Sequence, residues 1–191
     1  MAYNSYADGT GYVADLAKLK TYSFEMGPIR PPSEGGSFSL LLRITRNCPW
    51  NRCAFCSTYK GERFQLRSVN EIEADIDSAK AISDEIKALS WKLGYAGKIE
   101  PLAFTLQSGL LYGKDGRSLE ENELGNFQCV VNVFNWLCSG GKTVFLQDAD
   151  TPIMYTDQLV EVLKYLKKTL PSIERITSYA RSKTIARKKP V

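Results

Sequence analysis

The sequence predicts an α/β chain, an incomplete (β/α) barrel with about three parallel strands and crossover helices. Three observations predict it. Its strand-like runs are short and continuously apolar, as strands buried on both faces are. Amphipathic helical stretches separate them. The order strand, helix, strand, helix, strand requires right-handed crossovers and hence parallel pairing, and three such units do not close a barrel.

Residues 1 to 37 carry Gly9, Gly11, Gly27, Pro28, Pro31, Pro32, Gly35 and Gly36, so an irregular N-terminal arm is expected, with a short helix near Tyr12 to Lys20. Residues 38 to 191 are expected to form the domain. Ser39 to Thr45 is the first strand, and a cysteine-bearing loop follows it directly. Ser68 and Glu71 have the form of a capping box, and Ile72, Ile76, Ala79, Ile86, Leu89 and Leu93 recur at helical steps until Gly94 and Gly97. Residues 98 to 117 read equally as a short helix, a hairpin or an excursion over the active face.

A second box at Ser118 to Glu121 predicts a helix whose inward stripe is Phe127, Val130, Val131, Phe134, Leu137 and Cys138, stopped by Gly140 and Gly141. Thr143 to Leu146 is the second strand. Thr156 is placed to cap a helix with Leu159, Val162, Leu163 and Leu166 inward, closed by Pro171. Ile173 to Tyr179 is the third strand, with no covering helix predicted after it.

Composition narrows the chemistry. With 25 basic and 21 acidic residues the net charge is +4, too mild to argue for a nucleic-acid partner. No apolar run approaches the ~20 residues of a spanning helix and the start lacks the features of a signal peptide, so a cytoplasmic location and no membrane partner are expected. Histidine is absent, which removes the commonest general base and imidazole ligand, and leaves sulfur and carboxylate to hold any metal. Five cysteines, an odd number, argue against a disulfide framework and for reduced thiols.

Cys48, Cys53 and Cys56 lie together at the end of the first strand, where parallel α/β folds place their chemistry. Three thiolates are one short of a closed zinc site or an ordinary four-iron cluster. A four-iron cluster held by three cysteines keeps one iron open. The other reading is a zinc or structural iron-sulfur knot with Cys129 or Cys138 as a distant fourth ligand; a small buried hydrophobe is the ordinary role of such cysteines.

With Arg43-Ile-Thr-Arg-Asn-Cys48-Pro-Trp-Asn-Arg-Cys53-Ala-Phe-Cys56, the chain resembles the radical S-adenosylmethionine superfamily over roughly residues 38 to 185. Four residues separate Cys48 from Cys53, where most of that family has three. The resemblance implies a barrel of the radical S-adenosylmethionine type, a 4Fe-4S cluster on Cys48, Cys53 and Cys56, and S-adenosylmethionine as second cofactor. It implies Phe55 beside the adenine, Asp148 or Asp150 on the cofactor's amino group, and Ser178 and Arg181 facing the same cavity, Arg181 towards the carboxylate. The bland reading of the two aspartates is loop carboxylates capping the next turn. Arg43 and Arg46 either offset the charge of cluster and thiolates or are surface arginines.

The activity implied is reductive cleavage of S-adenosylmethionine to a 5'-deoxyadenosyl radical, with an external one-electron donor and an unknown substrate. The alternative is a non-catalytic metal-stabilised binding module. Because later barrel strands are missing, the chain is expected to be the N-terminal part of such an enzyme, inactive alone, with an exposed sheet edge prone to self-association.

Overall fold

A computed structural model describes residues 13–31 and 38–188. Gly9, Gly11, Tyr12, Pro32, Gly35 and Gly36 of the expected arm lie outside them. The chain divides into two compact units, Met1–Phe24 with Ser78–Gly140, and Glu25–Asp77 with Gly141–Val191.

The second unit holds the sheet. Strands β1 (Leu40–Arg43), β4 (Thr143–Gln147) and β5 (Arg175–Ser178) pair in the order β1-β4-β5, all parallel, as the element order requires. Leu40 stands opposite Val144 and Arg43 opposite Gln147, which sets the two strand ends side by side. Leu40, Leu42, Val144, Phe145 and Leu146 are all buried, consistent with a strand pair covered on both faces. The ladder runs one step further, Ile44 N–H donating to Gln147 O at 2.6 Å. β4 is followed by α5 (Thr156–Thr169), which buries Val162 and Leu166, while Leu159 and Leu163 are half-buried.

Two local readings are corrected here. Thr156 is the first helical residue and not the cap; Tyr155 occupies that position and caps with no side-chain bond. A five-residue helix, α6 (Ser182–Ala186), does follow β5, because Asp150 accepts from both Arg181 N–H and the Thr184 hydroxyl and so draws the chain into a turn.

A small antiparallel ladder went unforeseen. β2 (Thr45–Arg46) pairs with β3 (Gln65–Leu66), and the residues between them form the cysteine loop. Two-residue strands leave no readable periodicity in a sequence. Immediately afterwards α2 (Val69–Lys92) begins at the expected capping box: Glu71 Oε2 accepts from Ser68 N–H at 2.8 Å, and Ser68 Oγ accepts from Glu71 N–H at 3.3 Å. Ile72 and Ile76 of its first turns are buried.

The first unit comprises α1 (Val13–Leu19), residues 78–92 of α2, α3 (Ser108–Tyr112) and α4 (Glu121–Cys138). The stretch left open between 98 and 117 is helical, with a 3-10 turn at Glu100–Ala103, then α3, and it buries Leu102, Leu106 and Leu111. The capping box of α4 lies two residues past the expected one, formed by Glu120 and Glu123, because Asp115 instead caps a 3-10 turn over Gly116–Ser118. The buried side of α4 is Asn126, Cys129, Val130, Asn132, Val133 and Trp136. That face is rotated from the expected stripe: Phe127, Val131, Phe134, Leu137 and Cys138 are only half-buried. Asn126 explains the rotation, since its amide donates inward to Leu19 O at 2.8 Å and to Tyr22 O. Among the described residues no helix is long and apolar enough to cross a membrane.

Candidate functional site

The site is built at the carboxyl ends of β1 and β4 within the second unit. Parallel strands end there in unpaired backbone groups, and side chains just beyond them converge. Arg43 ends β1. Its Nε and Nη2 both approach Asp148 Oδ2 at 2.7 Å, and the Asn47 N–H reaches the same oxygen at 2.9 Å. Asp148, wholly buried just past the end of β4, thereby ties that strand to the first residues of the cysteine loop.

Its second oxygen, Oδ1, is buried without a hydrogen-bond partner, and so is the Tyr59 hydroxyl. Burial, and then the charge of Asp148, push the Tyr59 phenol far above its ordinary value, with a smaller contribution from Cys48. Gly27 closes the other side: a Cβ there would stand 1.8 Å from Asp148 Oδ1. Gln147 holds Gly27 in place, its Oε1 accepting from Gly27 N–H and its Nε2 donating to Gly27 O, each at 2.9 Å.

Around this anchor lies an ion-pair network. Glu25 accepts from Arg43 at 2.9 Å and from Arg46 at 2.6 Å, and Arg46 also reaches Glu71 at 3.0 Å. Arg67, nearly buried, bonds Asp75 at 2.7 Å and the Arg43 carbonyl at 2.5 Å. Burial alone would raise the Glu25 carboxyl, but the Arg46 hydrogen bonds and the charges of Arg67, Arg46 and Arg43 bring it below its ordinary value. Asp75 ends above its ordinary value because burial outweighs Arg67. Arg43 and Arg46 are therefore neither surface arginines nor free cations; both are engaged by carboxylates of their own unit.

The cysteine loop is held at its base by two asparagines. Asn47 and Asn51 both take left-handed backbone angles, φ 67° and 45°, which Asn tolerates better than most side chains. The Asn47 amide donates to Arg63 O at 2.8 Å, and the Asn51 amide donates to Tyr59 O and to Glu62 O. Cys48 Sγ accepts the Asn51 N–H at 3.4 Å, and Cys56 N–H donates to Cys53 O at 3.4 Å, so the loop turns back at both ends. All three thiols are half-exposed.

Donor chemistry fits an iron-sulfur cluster: three sulfurs on one short loop, no imidazole, and an N–H already directed at one sulfur. Among the described residues no three Cys, Asp or Glu side chains are gathered around a common point. Cys129 is engaged elsewhere in the first unit, its sulfur accepting from Phe24 N–H at 3.3 Å and donating to Phe24 O at 3.1 Å.

The remaining expected residues fall in different surroundings. Phe55 is 93% exposed on the loop. Asp150 is wholly buried and both its oxygens are occupied, Oδ1 by Arg181 N–H at 3.0 Å and Oδ2 by Thr184 Oγ1 at 2.6 Å. Asp150 thus braces the following turn, the bland reading of this position. Ser178 is exposed at the end of β5. The Arg181 guanidinium lies over the Trp50 ring, 4.5 Å from its centroid.

Comparison with protein families, with curated proteins and with solved structures finds no match to this chain.

Sequence reasoning missed Gly27, Glu25, Tyr59 and Arg67. Only Gly27 carried a signal, as a glycine ahead of proline, and that signal reads as a turn and not as a cradle for a carboxylate.

Proposed function

We propose that this chain is a cytoplasmic radical S-adenosylmethionine protein, in whole or in part, whose α/β sheet is a portion of that family's barrel. The observation that carries this reading is the trio Cys48, Cys53 and Cys56 on one loop past the carboxyl end of the first parallel strand. Those three thiols would hold a 4Fe-4S cluster, which with S-adenosylmethionine bound and an external one-electron donor supplies reductive cleavage to a 5'-deoxyadenosyl radical.

The chain's own residues do the positioning. Asp148 fixes the start of the loop through Asn47 N–H, and Asn51 closes the loop while its own N–H donates to Cys48 Sγ. Of the two aspartates, Asp148 lies nearer the cysteine loop, since it bonds Asn47 N–H, whereas both oxygens of Asp150 are taken by the turn after β5. Phe55, exposed beside Cys56, is available to lie against an adenine. The free side of β5 would serve for pairing with a further strand or a second copy.

The alternative, a metal-stabilised binding module, needs a fourth sulfur from Cys129 or Cys138; the Cys129 sulfur is engaged by the Phe24 backbone, which leaves Cys138. Anaerobic reconstitution with iron and sulfide tests the proposal. The expected product is a brown protein with broad visible absorption, lost on single Ser substitution at Cys48, Cys53 or Cys56. Tight stoichiometric zinc with no cluster uptake would overturn it.

A further inference from the structure

Beside the cysteine loop, in the same unit, lies a cavity of about 450 Å³ whose walls come from Trp50, Ile153 and a run of cations after β5. Trp50 belongs to the loop itself, between Cys48 and Cys53, and is 43% exposed. Arg181, Lys183, Arg187 and Lys188 all line the cavity, and none of them forms an ion pair among the described residues. Lys188 is held by neutral oxygens, Met154 O at 2.5 Å and Thr156 Oγ1 at 3.2 Å. The nearby carboxylate, Asp150, is wholly buried and engaged with Arg181 N–H and Thr184.

Among the described residues the four cations around this concavity outnumber the one carboxylate bonded to its lining, Asp150, so they repel each other, and an anion entering between them relieves that repulsion. The reading of the cysteine loop given above uses neither Lys183, Arg187 nor Lys188. We propose that this cavity binds a small organic molecule through a phosphate group, with the apolar part of that molecule against the exposed part of the Trp50 indole. A phosphate monoester is favoured over a carboxylate on charge: at neutral pH it carries about −1.5 to −2 and offers three acceptor oxygens. Guanidinium forks match that geometry, and two are present. The Trp50 indole supplies apolar surface beside them in the part of the ring left open by Arg181 and Arg52, whose guanidiniums stand 4.5 Å and 5.5 Å from its centroid.

The position gives the site its meaning. A molecule so held lies against the loop that carries the thiols, and its role as the substrate of that chemistry rests on the proposed function. Binding itself does not depend on a cluster.

Titration calorimetry on the full chain without a cluster tests the site, with phenyl phosphate, benzoate, phenol and inorganic phosphate as probes. Phenyl phosphate should bind saturably and benzoate at least about fivefold more weakly, with phenol showing no saturable binding. Charge reversal at both Lys183→Glu and Arg187→Glu should weaken phenyl phosphate about tenfold or more, and Lys183→Arg with Arg187→Lys should restore most of it. Trp50→Ala should weaken phenyl phosphate several-fold while leaving inorganic phosphate within about twofold.

Benzoate or phenol matching phenyl phosphate, or indifference to charge reversal in a variant of unchanged circular dichroism, overturns the site. Absence of phenyl phosphate binding does the same. Competition of S-adenosylmethionine with phenyl phosphate also overturns it, because the cavity would then be the cofactor's. Failure to assemble a cluster with phenyl phosphate binding intact removes the proposed function and leaves this site standing.

Discussion

Arg43 grips Asp148 by a single oxygen. Both Nε and Nη2 approach Oδ2 at 2.7 Å, which leaves Oδ1 buried between the Gly27 backbone and Tyr59. Asp148 is wholly buried and Arg43 only 14% exposed at its side chain, so removing either leaves the other buried without this partner. Asp148→Ala should therefore cost about 3 kcal/mol, as breaking a buried pair does. Urea denaturation measures it. A loss under about 0.5 kcal/mol would mean that Arg43 is satisfied by Glu25 alone.

Gly27 is required by close approach. Its ideal Cβ would stand 1.8 Å from Asp148 Oδ1 and 2.8 Å from Cγ, so even a methyl displaces the carboxylate. Gly27→Ala should cost about 2 kcal/mol, in the range of overpacking. In an Asp148→Ala background the same change should cost much less, because the clashing atoms are gone. A double-mutant cycle with no coupling would show that the two residues are independent.

Glu71 makes the start of α2 sensitive to acid. Hydrogen bonds from the Ser68 backbone and hydroxyl, then from Arg46, hold its carboxyl down to about 2 from an ordinary 4.5. The folded value is the lower one, so this stabilisation is complete above about pH 4.5 and is lost as pH falls towards 2. Its side chain is 45% exposed, and solvent screening reduces the contribution to the order of 1 kcal/mol. The stability gap between wild type and Glu71→Gln should shrink between about pH 6 and pH 3 in denaturant titrations. A gap that stays constant across that range excludes the mechanism.

The two cysteines of α4 should differ. Cys129 is 1% exposed and its sulfur exchanges hydrogen bonds with both backbone groups of Phe24, whereas Cys138 is half-buried with burial raising its thiol above the ordinary value. Cys129→Ala is expected to cost roughly 2 kcal/mol, since it leaves the Phe24 amide unsatisfied, and Cys138→Ala well under 1 kcal/mol. Thermal melts rank them. Neither should impair cluster assembly, and a cluster lost in Cys138→Ala would restore the four-sulfur knot.

The sequence by itself determined the parallel sheet, because continuous apolar runs at 39–45 and 143–146 and the helices between them admit little else. It also determined the start of α2, whose capping box is a contact between residues three apart, and the grouping of three cysteines on one loop. Those features are local, and local spacing is what a sequence displays. Only the tertiary structure decided which face of α4 turns inward, since Asn126 earns its burial through backbone carbonyls at Leu19 and Tyr22, more than a hundred residues away along the chain. The same holds for the Asp148 anchor. Its partners Arg43, Asn47 and Gly27 come from strand β1, the loop and the segment before the sheet, brought together because parallel pairing sets Arg43 opposite Gln147. Hydrogen bonds and charge pairs of that range leave no periodic trace, because each depends on the register of strands far apart in sequence.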